Sequence, residues 1–214
     1  GYLFFATQEN ELAYLKQTVA TQKSLGVKGV EIVDTQTISQ LVKGLNCEDI
    51  IGGSFGETDG FINPLDVMRG FSEKAFANGA KIQFNTQVLS IETEHGKVKA
   101  VETNQGRIEC ENVILCTGAW AKYLAKTASV DLPIEPLKRQ IVWAKSEKPL
   151  PENLPMVIDL GSGFHFRPAK NSNDEILFAY PDKDEKPSFD THFDEEFIPK
   201  VYEKAKKRAK FLIE

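Results

Sequence analysis

Apolar positions open with a strand-like run, Tyr2–Ala6. Helical spacing follows over residues 8–25, with Leu12, Leu15 and Val19 on one face and Gly26 as the stop. Val30–Val33 reads as a short strand, and Asp34 or Thr35 as the cap of a helix carrying Ile38, Leu41 and Val42. Residues 50–55 are apolar but contain Gly52-Gly53, which predicts an irregular strand with a bulge or a close backbone approach. Asp59-Gly60 is a turn, Asn63 an N-cap and Pro64 a first helical residue. The helix from there to Ala77 is expected to bury Val67, Met68, Phe71 and Ala75, with Gly79 stopping it.

From Lys81 the period becomes alternating. Ile82 with Phe84, Val88 with Leu89 and Ile91, Val98 with Val101, and then Ile108 predict short strands, turning at His95-Gly96 and Gln105-Gly106. Val113, Ile114, Leu115 and Cys116 read as a strand buried on both faces of a parallel sheet. It stops at Thr117-Gly118, and helical spacing through Trp120, Tyr123 and Leu124 begins at once. Open α/β sheets present ligands at such strand-turn-helix junctions, although strands also end in Thr-Gly where nothing binds. Residues 134–144 predict a long strand, and residues 145–155 a Pro- and charge-rich loop. Met156–Asp159 and residues 164–167 predict strands, with residues 176–180 returning to pair across a polar turn at 169–174. Alternation puts His165 and Arg167 on one strand face and Phe164 and Phe166 on the other. A charged loop over 181–194 leads to a helix over 195–212.

Composition narrows the function classes. The 214 residues are enough for one large domain or two small lobes, and a net charge of −5 argues against a polyanionic partner such as nucleic acid. Three cysteines without a CxxC pair give no disulfide framework and favour a reducing cytoplasm. No apolar run approaches membrane-spanning length. The chain opens inside a strand-like run without an initiator Met, as expected of a piece of a longer protein. His95, His165 and His192 stand apart with no partner at metal-ligand spacing. Neither a nucleophile elbow, a GxGxxG nor a phosphate-binding P-loop occurs. Lys and Arg residues between 200 and 210 share their helix with Glu203 and with an apolar face of Val201, Ala205 and Ala209, which reads as a solvated surface.

Several stretches, in order, carry a resemblance. They are Gly1-Tyr2-Leu3-Phe4, Gly53-Ser54-Phe55 through Asp59-Gly60 to Pro64, and Thr86-Gln87-Val88-Leu89-Ser90-Ile91. Residues 113–120, Leu137-Lys138-Arg139-Gln140 and Gly163-Phe164-His165-Phe166-Arg167-Pro168 continue the series. Together they resemble FAD-dependent oxidoreductases of the D-amino-acid oxidase and sarcosine oxidase superfamily, nearest the sarcosine oxidase beta-subunit type.

The resemblance implies an α/β (α+β) fold, part of a FAD-binding lobe plus a substrate lobe with a large mixed, mainly antiparallel sheet. Residues 1–54 and 120–193 would form the substrate-binding lobe, 55–119 a partial FAD-binding lobe, and 194–214 a C-terminal helix. Val88 matches the position whose backbone pairs with the adenine of FAD, and Thr117, Gly118 and Ala119 the turn passing close to the dinucleotide. The family's glycine-rich turn would lie upstream of the position matching Gly1, and the last FAD segment downstream of the final helix. This chain is therefore expected to form an incomplete flavin site that FAD need not occupy, and to be inactive alone. The implied reaction transfers a hydride from the carbon beside a substrate nitrogen to flavin N5, leaving an imine that water hydrolyses; no protein nucleophile is needed. Candidate substrate-binding residues are His165, Arg167, Arg139 and Gln140. Arg167 reads as a carboxylate partner or as a surface or lobe-interface ion pair, His165 as a ligand contact or a satisfied polar residue, and Arg139-Gln140 carry the same alternatives. The substrate would be a small amine or amino acid of the sarcosine, glycine, proline or D-amino-acid class. Partner subunits are also implied, and with them an alternative role as a non-catalytic assembly module of a hetero-oligomeric oxidase.

Overall fold

A computed structural model describes residues 1–169 and 172–213. In chain order the elements begin with β1 (Tyr2–Ala6), α1 (Glu9–Ser24), β2 (Val30–Val33), α2 (Thr35–Leu41) and β3 (Gly52–Gly56). Then come α3 (Pro64–Ala77), β4 (Val88–Glu94), β5 (Lys97–Thr103), β6 (Gly106–Glu109) and α4 (Ala121–Thr127), the last entered through a 3-10 turn at Gly118–Trp120. The remainder is β7 (Val142–Lys145), β8 (Met156–Asp159), β9 (His165–Pro168), β10 (Glu175–Ala179) and α5 (Phe197–Arg208), followed by a 3-10 turn at Lys210–Leu212.

The chain forms two compact units. The first comprises Gly1–Phe61, Arg139–Asp184 and His192–Glu214. Its seven-stranded sheet has the order β2-β3-β1-β8-β9-β10-β7. Every neighbouring pair is antiparallel except β1 with β8, which is the large mixed, mainly antiparallel sheet expected. One face carries Leu3, Phe5, Val157, Phe166, Ile176 and Phe178, all buried under Ile38 and Val42 of the α2 segment and Phe197, Val201 and Ala205 of α5. Burial of that apolar set is the main favourable term for the unit.

Local chemistry explains the element ends. Asp34 accepts the Thr37 amide at 2.8 Å and caps α2, so the choice between Asp34 and Thr35 falls to the aspartate. Glu11 reaches back to the amides of Thr7 and Gln8 at the start of α1, and Gly26 closes that helix at φ +85°. The Gly52-Gly53 pair is a close backbone approach: a Cβ on Gly53 would collide with the Phe4 carbonyl oxygen across the β1–β3 ladder.

The second unit comprises Ile62–Lys138 and Glu185–Thr191. It holds the antiparallel sheet β4-β5-β6, with α4 against β4. Here several expectations fail. Residues 113–116 form no strand, and Ile114 is 87% exposed. No strand among the described residues pairs with this run, and without a ladder an apolar segment cannot become a buried parallel strand. Residues 82–84 likewise stay outside any strand. Helix α3 forms where Asn63 and Pro64 place it, with the Asn63 side chain accepting the Leu65 amide, but it buries none of its residues. Met68 and Phe71 are exposed instead. The long strand expected over 134–144 shortens to β7, which alone pairs with β10, and residues 134–141 form no regular element. The β9–β10 hairpin pairs as expected, Phe178 opposite Phe166; Lys170 and Asn171 of its connecting turn lie outside the described residues.

Candidate functional site

Two surfaces gather the residues singled out in the sequence, one in each unit. In the second unit an open cavity of about 840 Å³ is lined by Val88 and Leu89 of β4, Thr117 and Gly118 of the turn, and Trp120 and Tyr123 beyond it. Ala119, between Gly118 and Trp120, is the central residue of the same 3-10 turn. Residues far apart in sequence thus meet at one cavity, although the strand expected to bring residues 117–119 there does not form.

The backbone of Val88 is free to meet a ligand. β4 is an edge strand, and the Gln87 carbonyl accepts the Asn104 amide at 3.0 Å while the Gln87 amide donates to Asn104 Oδ1 at 2.8 Å. Both bonds point toward β5. Alternation therefore turns the Val88 N–H and C=O to the open side of β4. The Val88 N–H and C=O thus stand as one donor beside one acceptor on an edge strand, next to an apolar cavity. Gly118 sits at φ +52°, the left-handed conformation that makes this turn tight. The aromatic wall was legible only as helical spacing: Trp120 stacks on Phe189 at 5.2 Å, and Tyr123 contacts the same ring at 5.4 Å.

In the first unit, the sheet face opposite the core carries His165 and Arg167. Ile158 and Ala179 stand opposite His165, and Leu177 opposite Arg167, with Trp143 next across the sheet. The alternation read from the sequence holds, since Phe164 and Phe166 are buried while His165 and Arg167 are half-buried. His165 Nδ1 lies 2.8 Å from the Gly163 carbonyl. A carbonyl only accepts, so Nδ1 carries the proton of that contact. Arg167 donates from Nη1 to its neighbour's carbonyl, Pro168, at 3.1 Å, and its guanidinium lies 4.6 Å over the Phe61 ring. Among the described residues no carboxylate lies within ion-pair range of it. Phe61 also packs on Tyr2 at 5.7 Å between ring centres. Its role was invisible in the sequence, where it is simply the residue after a turn.

The other pair behaves differently. Gln140 is buried, and its Oε1 accepts the Asp194 amide ahead of α5, so its side chain ties chain segments together. Arg139 is exposed and is not without a partner. On the core face, Arg208 is almost fully buried and holds Asp49 through both guanidinium nitrogens, at 2.6 and 3.2 Å, while lying 4.7 Å over the Phe5 ring. Those hydrogen bonds lower the Asp49 carboxyl to about 2. Burial pushes the neighbouring Cys47 thiol up, against the opposing charge of Arg208. No group of acidic, cysteine or histidine residues among the described residues has the arrangement of a metal site.

Comparison with known proteins agrees with the resemblance in its coarse form. The chain is 27% identical over 192 residues to the mitochondrial pyruvate dehydrogenase phosphatase regulatory subunit of Mus musculus, covering 88% of this chain and 21% of that protein. It is 27% identical over 158 residues to mitochondrial dimethylglycine dehydrogenase of the same species, covering 72% of this chain and 18% of the relative. Among solved structures, L-proline dehydrogenase from P. horikoshii superposes with a TM-score of 0.81 at 27% identity, over 96% of this chain and 55% of that one. Glycine oxidase from Bacillus cereus, at 23% identity and a TM-score of 0.71, shares the fold over 97% of this chain and 55% of its own. The chain thus spans about a fifth of these curated relatives and about half of these solved structures. A family model for FAD dependent oxidoreductases (DAO) matches residues 1–213, and the chain belongs to that family.

Proposed function

We propose that this chain is part of a flavin-dependent oxidoreductase that oxidises a small amine or amino acid of the sarcosine, glycine, proline or D-amino-acid class. The observation that carries the reading is the family match across residues 1–213. FAD, when bound, accepts a hydride from the carbon beside the substrate nitrogen. In this reading the second unit takes the FAD-binding role. The outward backbone groups of Val88 hold the adenine, and the Thr117-Gly118-Ala119 turn lets the dinucleotide pass close to the chain. The first unit takes the substrate-binding role, presenting His165 and Arg167 on its open sheet face. Gln140 and Arg139 serve as supports of that unit. The sarcosine oxidase beta-subunit type, with partner subunits and a cytoplasmic location, is the finer form of the proposal.

A non-catalytic role as an assembly module is the second reading. It is favoured by the mouse relative aligned over 192 residues, whose name is that of a regulatory subunit.

A visible absorption spectrum tests both readings. It is taken on this chain and on a polypeptide extended at both ends to the length of the solved relatives, each after incubation with FAD and gel filtration. Flavin bands retained by the extended protein, and reduced anaerobically by sarcosine, glycine, L-proline or a D-amino acid, are the expected result. An extended protein that folds yet stays colourless overturns the oxidoreductase reading and leaves the assembly module.

A further inference from the structure

We infer that Phe189 is a positioning residue for the cavity of the second unit: it holds the Trp120 and Tyr123 rings in place as the wall against which a flat ligand ring lies. The inference rests on the proposed FAD-binding role of that unit and goes beyond it by assigning a role to a residue outside the cavity.

The wall has little support of its own. Trp120 ends the 3-10 turn and Tyr123 follows three residues later in α4, a spacing that puts the two side chains on one face. Both line the cavity, and both are more than half exposed. An exposed aromatic ring held only by its own backbone exchanges between rotamers, so the turn by itself does not fix the shape of the cavity.

Phe189 supplies the missing constraint. It comes from Glu185–Thr191, which belongs to the second unit although it lies between β10 and α5 in the chain. Its ring stacks on Trp120 at 5.2 Å with an interplanar angle of 25°, and meets Tyr123 at 5.4 Å and 53°. One ring thus orients two. The segment is anchored on both sides of the phenylalanine. The Ser188 amide donates to the Pro136 carbonyl at 2.9 Å, and Lys138, whose side chain is mostly buried, reaches the Asp190 carboxylate at 3.2 Å. Lys122 of α4 pairs with Glu135, so the stretch that anchors Phe189 is itself tied to the helix that carries Tyr123. Phe189 does not line the cavity, and its influence on a ligand therefore passes through the wall.

Tryptophan fluorescence tests the wall without ligand. The two tryptophans are Trp120 and Trp143, so Trp143→Phe leaves Trp120 as the sole reporter. In that background Phe189→Leu is expected to raise acrylamide quenching of Trp120 and lower its anisotropy, while Phe189→Tyr, which keeps a ring, preserves both. FAD affinity is then titrated in the polypeptide extended to the length of the solved relatives. Phe189→Leu should weaken it about fivefold, the worth of one aromatic pair, and Phe189→Tyr should restore it. Asp190→Asn keeps the ring but loosens its anchor; it should move both readouts the same way by less, and it carries the test if the leucine variant does not fold. Phe193→Leu, at another exposed phenylalanine of the same loop, should move neither. Trp120 signals unchanged by Phe189→Leu and Asp190→Asn, an FAD affinity indifferent to both, or equal losses in Phe189→Tyr and Phe189→Leu overturn the inference. An extended protein that binds no FAD overturns the cofactor reading and this inference with it. One that binds FAD but is indifferent to Phe189 overturns this inference alone.

Discussion

At the scale of single residues, the Asp49–Arg208 pair is the most demanding arrangement in the protein. Arg208 has 3% of its side chain exposed and relies on Asp49, the Asp159 carboxylate at 3.7 Å, the Asn46 carbonyl and the Phe5 ring for what water would otherwise provide. Removing the carboxylate leaves a buried cation short of its main partner. Asp49→Ala is therefore expected to lower stability by about 2 kcal/mol, read from the urea midpoint. The pH dependence has a definite sign. The folded carboxyl titrates near 2, below its ordinary value of 3.8, so its contribution is fully present above pH 4 and is lost as pH falls toward 2. Asp49→Asn should lower stability near neutrality, flatten the stability curve in that window and converge on the unsubstituted protein toward pH 2. None of this was legible in the sequence. Arg208 read there as one of several surface cations, because helical spacing assigns a face but not the depth at which a long side chain ends.

Among the elements, the strand pair β1–β3 has the tightest tolerance. The Gly53 position faces the Phe4 carbonyl at a distance no side chain accepts, so Gly53→Ala must push the two strands apart. A loss of about 2 kcal/mol is expected from such overpacking, measured as a shift in the denaturant midpoint. Gly60→Ala, where a Cβ would meet nothing within 4 Å, is the matched control and should be nearly neutral. Here the sequence was informative. A Gly-Gly pair inside an apolar run has few explanations, and a close backbone approach was one of the two expected. The strand read at residues 113–116 shows the limit of the same reasoning. Continuous apolarity states that a segment suits burial; it says nothing about whether a partner strand stands beside it.

The molecule as a whole divides by the kind of core each unit has. The first encloses a contiguous cluster from Leu3 and Phe5 through Phe166 and Phe178 to Val201 and Leu212. The second buries only a few apolar side chains, including Ile91, Val101 and Ala125, and leaves Phe71, Phe76, Phe84 and Ile114 exposed. Local opening free energy follows buried apolar contact, so amide hydrogen exchange should be slowest in β1, β8 and β9 and fastest in α3 and residues 111–117. Exchange mass spectrometry that found α3 as protected as β8 would contradict this account. No described helix is long and apolar enough to cross a membrane.

By itself the sequence determined the strands and helices whose period, caps and stops agree, as at Tyr2–Ala6, α1, α2 and the β9–β10 hairpin. It also determined which residues of β9 share a face, because alternation along a strand is a local property. The ordered landmarks pointed to the family, which the comparison over residues 1–213 established. Tertiary structure alone decided which apolar segments found partners. It seated Phe61 against Arg167, fixed the His165 proton on Nδ1, and gathered Val88 with Thr117 and Gly118 around one cavity. The physical reason is the same in each case. Local sequence sets dihedral preference and the side-chain pattern, whereas pairing, desolvation and ring contacts depend on groups far away along the chain.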